Sequence, residues 1–164
     1  MNGEATEAKT LIAVVRVRSV IGQRKDIKET VRLLNLTRVH HAIIIDNRQT
    51  NIGMLQKVKD TITWGEIDSP TLARLLRKRG RLEGNRHLTD EYIAKNANLK
   101  TIDELAKALV DFKIDLAAIP KLKKVFRLHP PSKGFRGSTK RSFQQKGELG
   151  YRGAGINGLI MRMT

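Results

Sequence analysis

The chain has 164 residues, no cysteine, and 32 Lys and Arg against 16 Asp and Glu, a formal net charge of +16. That length suits one domain, and the missing cysteines exclude disulfides, thiol nucleophiles and thiolate metal sites. Such an excess of positive charge opposes compaction through self-repulsion, so it implies a polyanionic partner, nucleic acid before an anionic membrane surface.

Residues 1–9, within "MNGEATEAKT", have neither the basic start nor the apolar run of a signal peptide and are expected to be flexible. "LIAVVRVR", 11–18, is rich in β-branched residues and reads as a strand. Leu11, Ala13, Val15 and Val17 face one side, and Ile12, Val14, Arg16 and Arg18 the other. The loop "SVIGQRK", 19–25, leads into a helix, "DIKETVRLLN", whose first turn Asp26 caps and whose buried stripe is Ile27, Val31 and Leu34. "HAIIID", 41–46, is a second strand. "NRQTNIGMLQKVKD" is a second helix, buried through Ile52, Leu55 and Val58 or Lys59, and "TITWGEI", 61–67, is a third strand.

Residues 10–68 thus form a β-α-β-α-β core with a small three-stranded sheet. Two helices on one face leave the other face to be covered, by RNA or by the rest of the chain. Ser69 as N-cap and Pro70 as first helical residue open a third helix that Gly80 limits. Leu72, Leu75 and Leu76 are its apolar side. Arg74, Arg77, Lys78 and Arg81 fall on one face with no acidic i,i+4 partner, so phosphate contact is expected there. "RLEGNRHL" is a loop, "TDEYIAKN" a short helix, and "TIDELAKALVDF" a helix with the capping box Thr101-x-x-Glu104 that buries Ile102, Leu105 and Leu109. "KKVFRLHPP", 123–131, is a last strand stopped by two prolines. Residues 69–131 therefore read as a mostly helical second half.

Residues 121–164 carry eleven basic side chains and one acidic. From Ser132 apolar periodicity vanishes, and 132–164 reads as a basic, glycine-rich arm that orders on RNA. Lys133, Arg136, Lys140, Arg141, Lys146 and Arg152 would meet phosphates. Phe135, Phe143 and Tyr151 are interleaved with them, as aromatics that stack on unpaired bases are. "INGLIMRM" at the end is apolar enough to pin the arm back onto the protein.

Gly153, Gly155 and Gly158 match the G-x-G-x-x-G spacing of a dinucleotide loop. That loop needs a strand before it, a helix after it and an acidic residue about 20 positions on. No Asp or Glu follows Glu148 and no βαβ unit can be completed, so no cofactor is expected. His40 and His41 are adjacent, and neighbours on a strand point to opposite faces, so they do not chelate a metal together. Neither a nucleophile elbow nor a P-loop occurs, and no catalytic or metal site is assigned.

"VRVRSVIGQRKDIKETVRLLNL" followed by "IGMLQKVKDTITWGEI" resembles the universal large-subunit ribosomal protein thirty family, called protein seven in eukaryotes. The short bacterial form resembles residues 10–68 only. "SPTLARLLRKRGRL" and the ending "INGLIMRMT" are similar to the longer archaeal and eukaryotic forms. The long basic N-terminal extension of eukaryotic forms is missing, which points to an archaeal version.

The resemblance implies an α+β, ferredoxin-like core and a structural role in the cytoplasmic ribosome. Its implied partners are large-subunit rRNA, with 5S rRNA and a long helix of the large rRNA nearby, and neighbouring ribosomal proteins. By motif it carries RNA contacts to Arg16, Arg18, Ser19, Gly22, Arg24, Lys25, Arg38 and His40. Contacts at Arg74, Arg77, Lys78, Arg81 and the 132–164 residues rest on charge alone. The alternative is a non-ribosomal architectural protein on duplex DNA. No membrane and no small-molecule substrate is expected.

Overall fold

A computed structural model describes residues 9–97 and 99–164. The flexible start expected for 1–9 lies, except for Lys9, outside the described residues.

β1 (Leu11–Arg16) is the central strand of the core. It pairs antiparallel with β2 (His41–Asp46) on one side and β3 (Ile62–Glu66) on the other, so Val14 sits opposite both Ile43 and Trp64. The period-2 alternation divides the sheet residues cleanly between two apolar layers. Ile12, Val14, Ile43, Ile62 and Trp64 pack with Val31 and Leu34 of the α1 region (Lys25–Leu33) and with Leu55 and Val58 of the α2 region (Gln49–Lys57). Ala13, Val15, Ala42 and Ile44 face the opposite side.

That second face is covered by the chain itself and not by RNA. α3 (Ser69–Arg79), α5 (Ile102–Val110) and α6 (Gly155–Met163) place Leu72, Leu75, Leu76, Leu105, Leu109, Ile156, Leu159, Ile160 and Met163 over it. α4 (Asp90–Ala97) adds the fully buried Ile93. Helices on both faces make three layers, with the sheet in the middle.

The second half also widens the sheet. β4 (Val125–Arg127) pairs antiparallel with β2, β6 (Gly147–Tyr151) pairs parallel with β3, and β5 (Ser138–Ser142) lies outside β6. Among the described residues the order is β4-β2-β1-β3-β6-β5. The strand at 125–127 is therefore not the last. The stretch read as an aperiodic arm holds two strands and a helix. Glycine hides the alternation in "GELGY", where consecutive Gly147, Glu148 and Leu149 are all buried. The expected pinning by "INGLIMRM" is real and takes the form of α6. Asn157 fixes that helix by donating from Nδ2 to the Glu66 carbonyl (3.1 Å), while its Oδ1 accepts from Asp68 N–H (3.1 Å).

Two caps differ from the sequence expectation. Asp68, not Ser69, caps α3: its carboxylate accepts from Thr71 N–H at 3.0 Å, and Ser69 and Pro70 are the first helical residues. A carboxylate suits that position because it also meets the positive end of the helix dipole. Asp26 makes no cap bond, being one residue inside α1; it pairs instead with Arg24 (3.2 Å) and Lys57 (3.9 Å). The Thr101 cap of α5 forms as expected, accepting from Glu104 N–H. The reciprocal bond shifts by one residue, since Glu104 accepts from Lys100 N–H at 2.9 Å.

Candidate nucleic-acid interface

β2 and β3 run opposite to β1, and β6 runs with β3. The end of β1 and the starts of β2, β3 and β6 therefore lie at one end of the sheet. Loop 17–24, the turn before His41, the turn before Ile62 and Lys146 converge there. Val17 and Arg18 both donate backbone N–H to the Thr61 carbonyl (3.0 Å), and Arg18 Nη1 reaches the Asp60 carbonyl at 3.4 Å. Ser19 Oγ accepts from Ile21 N–H (3.2 Å), and Gly22 turns the chain at φ +79°, a left-handed geometry that suits glycine. The result is a projecting loop whose tip, Ile21, is 89% exposed and flanked by exposed Arg24 and Lys25.

Arg16 corrects the sequence expectation. It is buried, with Nη1 donating to the Leu36 carbonyl (2.7 Å) and Nε to the Arg18 carbonyl (3.0 Å), and its burial lowers its pKa. It ties the projecting loop to the turn before β2 and does not face outward. On that turn Arg38 is exposed. His40 precedes β2 with a left-handed φ of +66°, its N–H bonded to the Arg16 carbonyl (2.8 Å). Burial, then His129, pushes the His40 imidazole below its ordinary pKa. The ring stacks on Phe135, centroids 6.2 Å apart. Phe135 is half-buried against the helical core, so it joins two loops and is not a free stacking platform.

On α3, Arg74, Arg77 and Lys78 are exposed and Arg81 is half-buried. The expected absence of an acidic partner holds within the helix but not across helices: Arg77 Nη2 meets Asp103 of α5 at 2.8 Å. Arg74 and Lys78 form no ion pair among the described residues.

Segment 133–146, which includes β5, presents Lys133, Arg136, Lys140, Arg141 and Lys146 to solvent. Its geometry comes from Glu148, whose Oε1 accepts from both Arg136 N–H and Gly137 N–H at 2.9 Å. The other carboxylate oxygen pairs with the Arg152 guanidinium, the two side chains only 5% and 4% exposed. Burial pushes the Glu148 carboxyl up, but Arg152, the Gly137 and Arg136 N–H groups and the Arg152 charge together hold it below its ordinary value. Arg152 is thus an internal residue and not the phosphate contact expected of it. Its guanidinium lies 4.9 Å from the Phe143 ring centre. Tyr151, half-exposed, donates its hydroxyl to Glu66 (2.7 Å), which raises its pKa, and leans on Trp64.

The strand and helix that the G-x-G-x-x-G spacing requires are in fact present, as β6 and α6; the following acidic residue is not. The glycines serve close packing. A Cβ on Gly65 of β3 would lie 2.0 Å from the Gly153 carbonyl oxygen, so only a glycine at 65 lets the β6–α6 turn approach.

A family model described as ribosomal protein L30p/L7e matches residues 12–62. Large ribosomal subunit protein uL30 of Methanopyrus kandleri is 47% identical over 90% of this chain and 99% of its own length. The protein of the same name from Staphylothermus marinus is 50% identical over 93% and 98%, and that from Archaeoglobus fulgidus 46% over 93% and 99%. The chain belongs to the L30p/L7e family. The matched residues 12–62 run from β1 to the first residue of β3, and include the projecting loop and the turn bearing Arg38 and His40. The archaeal L30p/L7e relatives extend the match to 90–93% of the chain. One residue that organises this interface, Glu148, was absent from the sequence-derived site. Glu148 carried a signal: it is the single acid among residues 121–164.

Proposed function

We propose that this L30p/L7e member is a structural, non-catalytic component of the large subunit of the cytoplasmic ribosome and holds folded rRNA, with neighbouring ribosomal proteins around it. The supporting observation is three groups of basic side chains held on ordered backbone, most of them exposed and, apart from Arg24 and Arg77, without an ion pair among the described residues. Arg18, Ser19, Gly22, Arg24, Lys25 and Arg38 form one group, Arg74 and Lys78 with Arg77 and Arg81 a second, and Lys133, Arg136, Lys140, Arg141 and Lys146 a third. Arg16 and Arg152 position the first and third groups from inside.

Such surfaces read phosphate positions and RNA shape, because side chains do not reach into the deep, narrow major groove of A-form RNA. Basic groups carried on several different elements suit a junction of several rRNA segments better than one straight duplex, and 5S rRNA beside a long helix of the large rRNA would provide one. Sedimentation of cell extract tests the reading. Co-migration with the large subunit, resistant to moderate salt, is expected. Comparable binding to duplex DNA and rRNA fragments, with no subunit association, would mark an architectural protein instead.

A further inference from the structure

The third basic group borders an open cleft of about 520 Å³. Arg136, Lys146 and Glu148 form one wall, Gly155, Gly158 and Arg162 of α6 the other, and Phe143 and Arg152 also line it. Two features set it apart from a solvated basic surface.

The first is Phe143. This ring is 44% exposed. One side of it lies over the Arg152 guanidinium, within the range of a cation–π contact. Arg152 is fixed in turn by Glu148, to which it also donates at the backbone carbonyl (3.1 Å). The ring edge passes close to Gly155, where a Cβ would stand 3.7 Å from Cζ. Phe143 is therefore an aromatic plate clamped from one side.

The second is the charge balance. Glu148 is the one carboxylate of the cleft, and Arg152 and two backbone N–H groups already occupy it. Arg136, Lys146 and Arg162 have no ion pair among the described residues; Arg162 Nη1 donates only to the Gly134 carbonyl (2.9 Å). Arg152 Nε is buried without a hydrogen-bond partner among the described residues. Nothing lies within 4 Å of a Cβ built at Gly158, so α6 leaves that wall open.

A clamped aromatic plate beside three unneutralised cations is a nucleotide-recognition set: the plate stacks on a base and the cations neutralise its phosphate. We propose that this cleft takes one unstacked nucleotide of the rRNA, its base against Phe143 and its phosphate between Arg136, Lys146 and Arg162. The proposal rests on the rRNA-binding reading above and adds a single-stranded site to it. A base inside a duplex does not expose its face, so the site selects a bulge or loop.

The test combines short-wavelength ultraviolet crosslinking of the full-length protein to purified large-subunit rRNA, peptide mapping, and affinity measurement for Phe143→Leu and Phe143→Tyr. Phe143 is half-exposed, and thermal melting checks that both variants fold. An adduct on Phe143 is expected, with affinity lowered about tenfold in Phe143→Leu, the scale of one lost base stack, and retained in Phe143→Tyr. The proposal is overturned if wild type binds rRNA in a salt-dependent way while Phe143→Leu stays within twofold of it and no adduct maps to Phe143. It is equally overturned if Phe143→Leu binds rRNA normally but fails to enter the subunit, for then the plate meets a protein. Loss of salt-dependent rRNA binding in the wild type itself would remove the underlying reading as well.

Discussion

Glu148 and Arg152 form a buried ion pair at the root of segment 133–146, and the same carboxylate holds the backbone of Arg136 and Gly137. Breaking one side of a buried pair leaves the other charge desolvated and unpaired, at about 3–5 kcal/mol, whereas replacing both with apolar groups is often close to neutral. Glu148→Gln is therefore expected to lose about 3 kcal/mol or more in chemical denaturation. Glu148→Leu combined with Arg152→Leu should recover much of that stability. It should not recover the loop geometry, because the two N–H groups lose their acceptor. Limited proteolysis within 133–146 should be fast in the double variant, slow in the wild type, and slower in Glu148→Gln than in the double variant, because the glutamine oxygen still accepts from both N–H groups.

The same pair sets an acid limit. The Glu148 pKa is depressed in the folded state, so its contribution is fully present above the ordinary value of 4.5 and drains away as the pH falls through the lower folded value. Wild-type stability should thus fall more steeply than that of Glu148→Gln below pH 4.5, and the two should run parallel above it. Denaturation midpoints measured across pH 7 to 3 check this. Parallel curves over the whole range would mean that folding leaves the Glu148 pKa where the unfolded chain has it.

The core was legible in the sequence because its strands and helices carry undisturbed periods: Ala13 and Val15 against Ile12 and Val14, and Leu72, Leu75 and Leu76 on one helical side. The α6 residues Ile156, Leu159, Ile160 and Met163 show the same i, i+3, i+4, i+7 spacing, but glycines at 155 and 158 and a short run masked it. β5 was illegible for a different reason. "STKRS" has no apolar residue, because it is an edge strand whose side chains are mostly exposed. Of the site, exposure was predictable from charge, but pairing was not. Arg16 looks like its neighbours until the Leu36 carbonyl, twenty residues on, is brought to it, and Arg152 looks like its neighbours until the fold buries it with Glu148, four residues before it. Asp103 reaches Arg77 only because α5 packs on α3.

Two glycines should respond oppositely to alanine. At buried Gly65 the added methyl meets the Gly153 backbone oxygen at 2.0 Å, and the β6–α6 turn cannot retreat without pulling on the β3–β6 pairing. A loss of about 3 kcal/mol or more is expected, the upper range for overpacking. At Gly158 no atom lies within 4 Å and the residue is inside α6, so alanine should raise stability by about 0.5–1 kcal/mol through helix propensity. Thermal melting of both variants gives the comparison.

The α3 face makes a prediction whose sign depends on a single carboxylate. Neutralising about six phosphates gives a slope of log affinity against log salt of roughly −4 to −5. Lys78→Ala should make that slope shallower by about one unit at nearly constant fold stability, since Lys78 is exposed and has no ion pair among the described residues. Arg77 differs, because Asp103 sits 2.8 Å away and competes with a phosphate for the same guanidinium. As an exposed pair it contributes at most about 1 kcal/mol to stability. Removing it by Asp103→Ala should leave folding nearly unchanged, yet tighten rRNA binding and steepen the salt slope. Filter binding or fluorescence anisotropy at several salt concentrations reads both effects. A weaker, shallower binding curve for Asp103→Ala would show that the pair orients Arg77 toward RNA and does not restrain it.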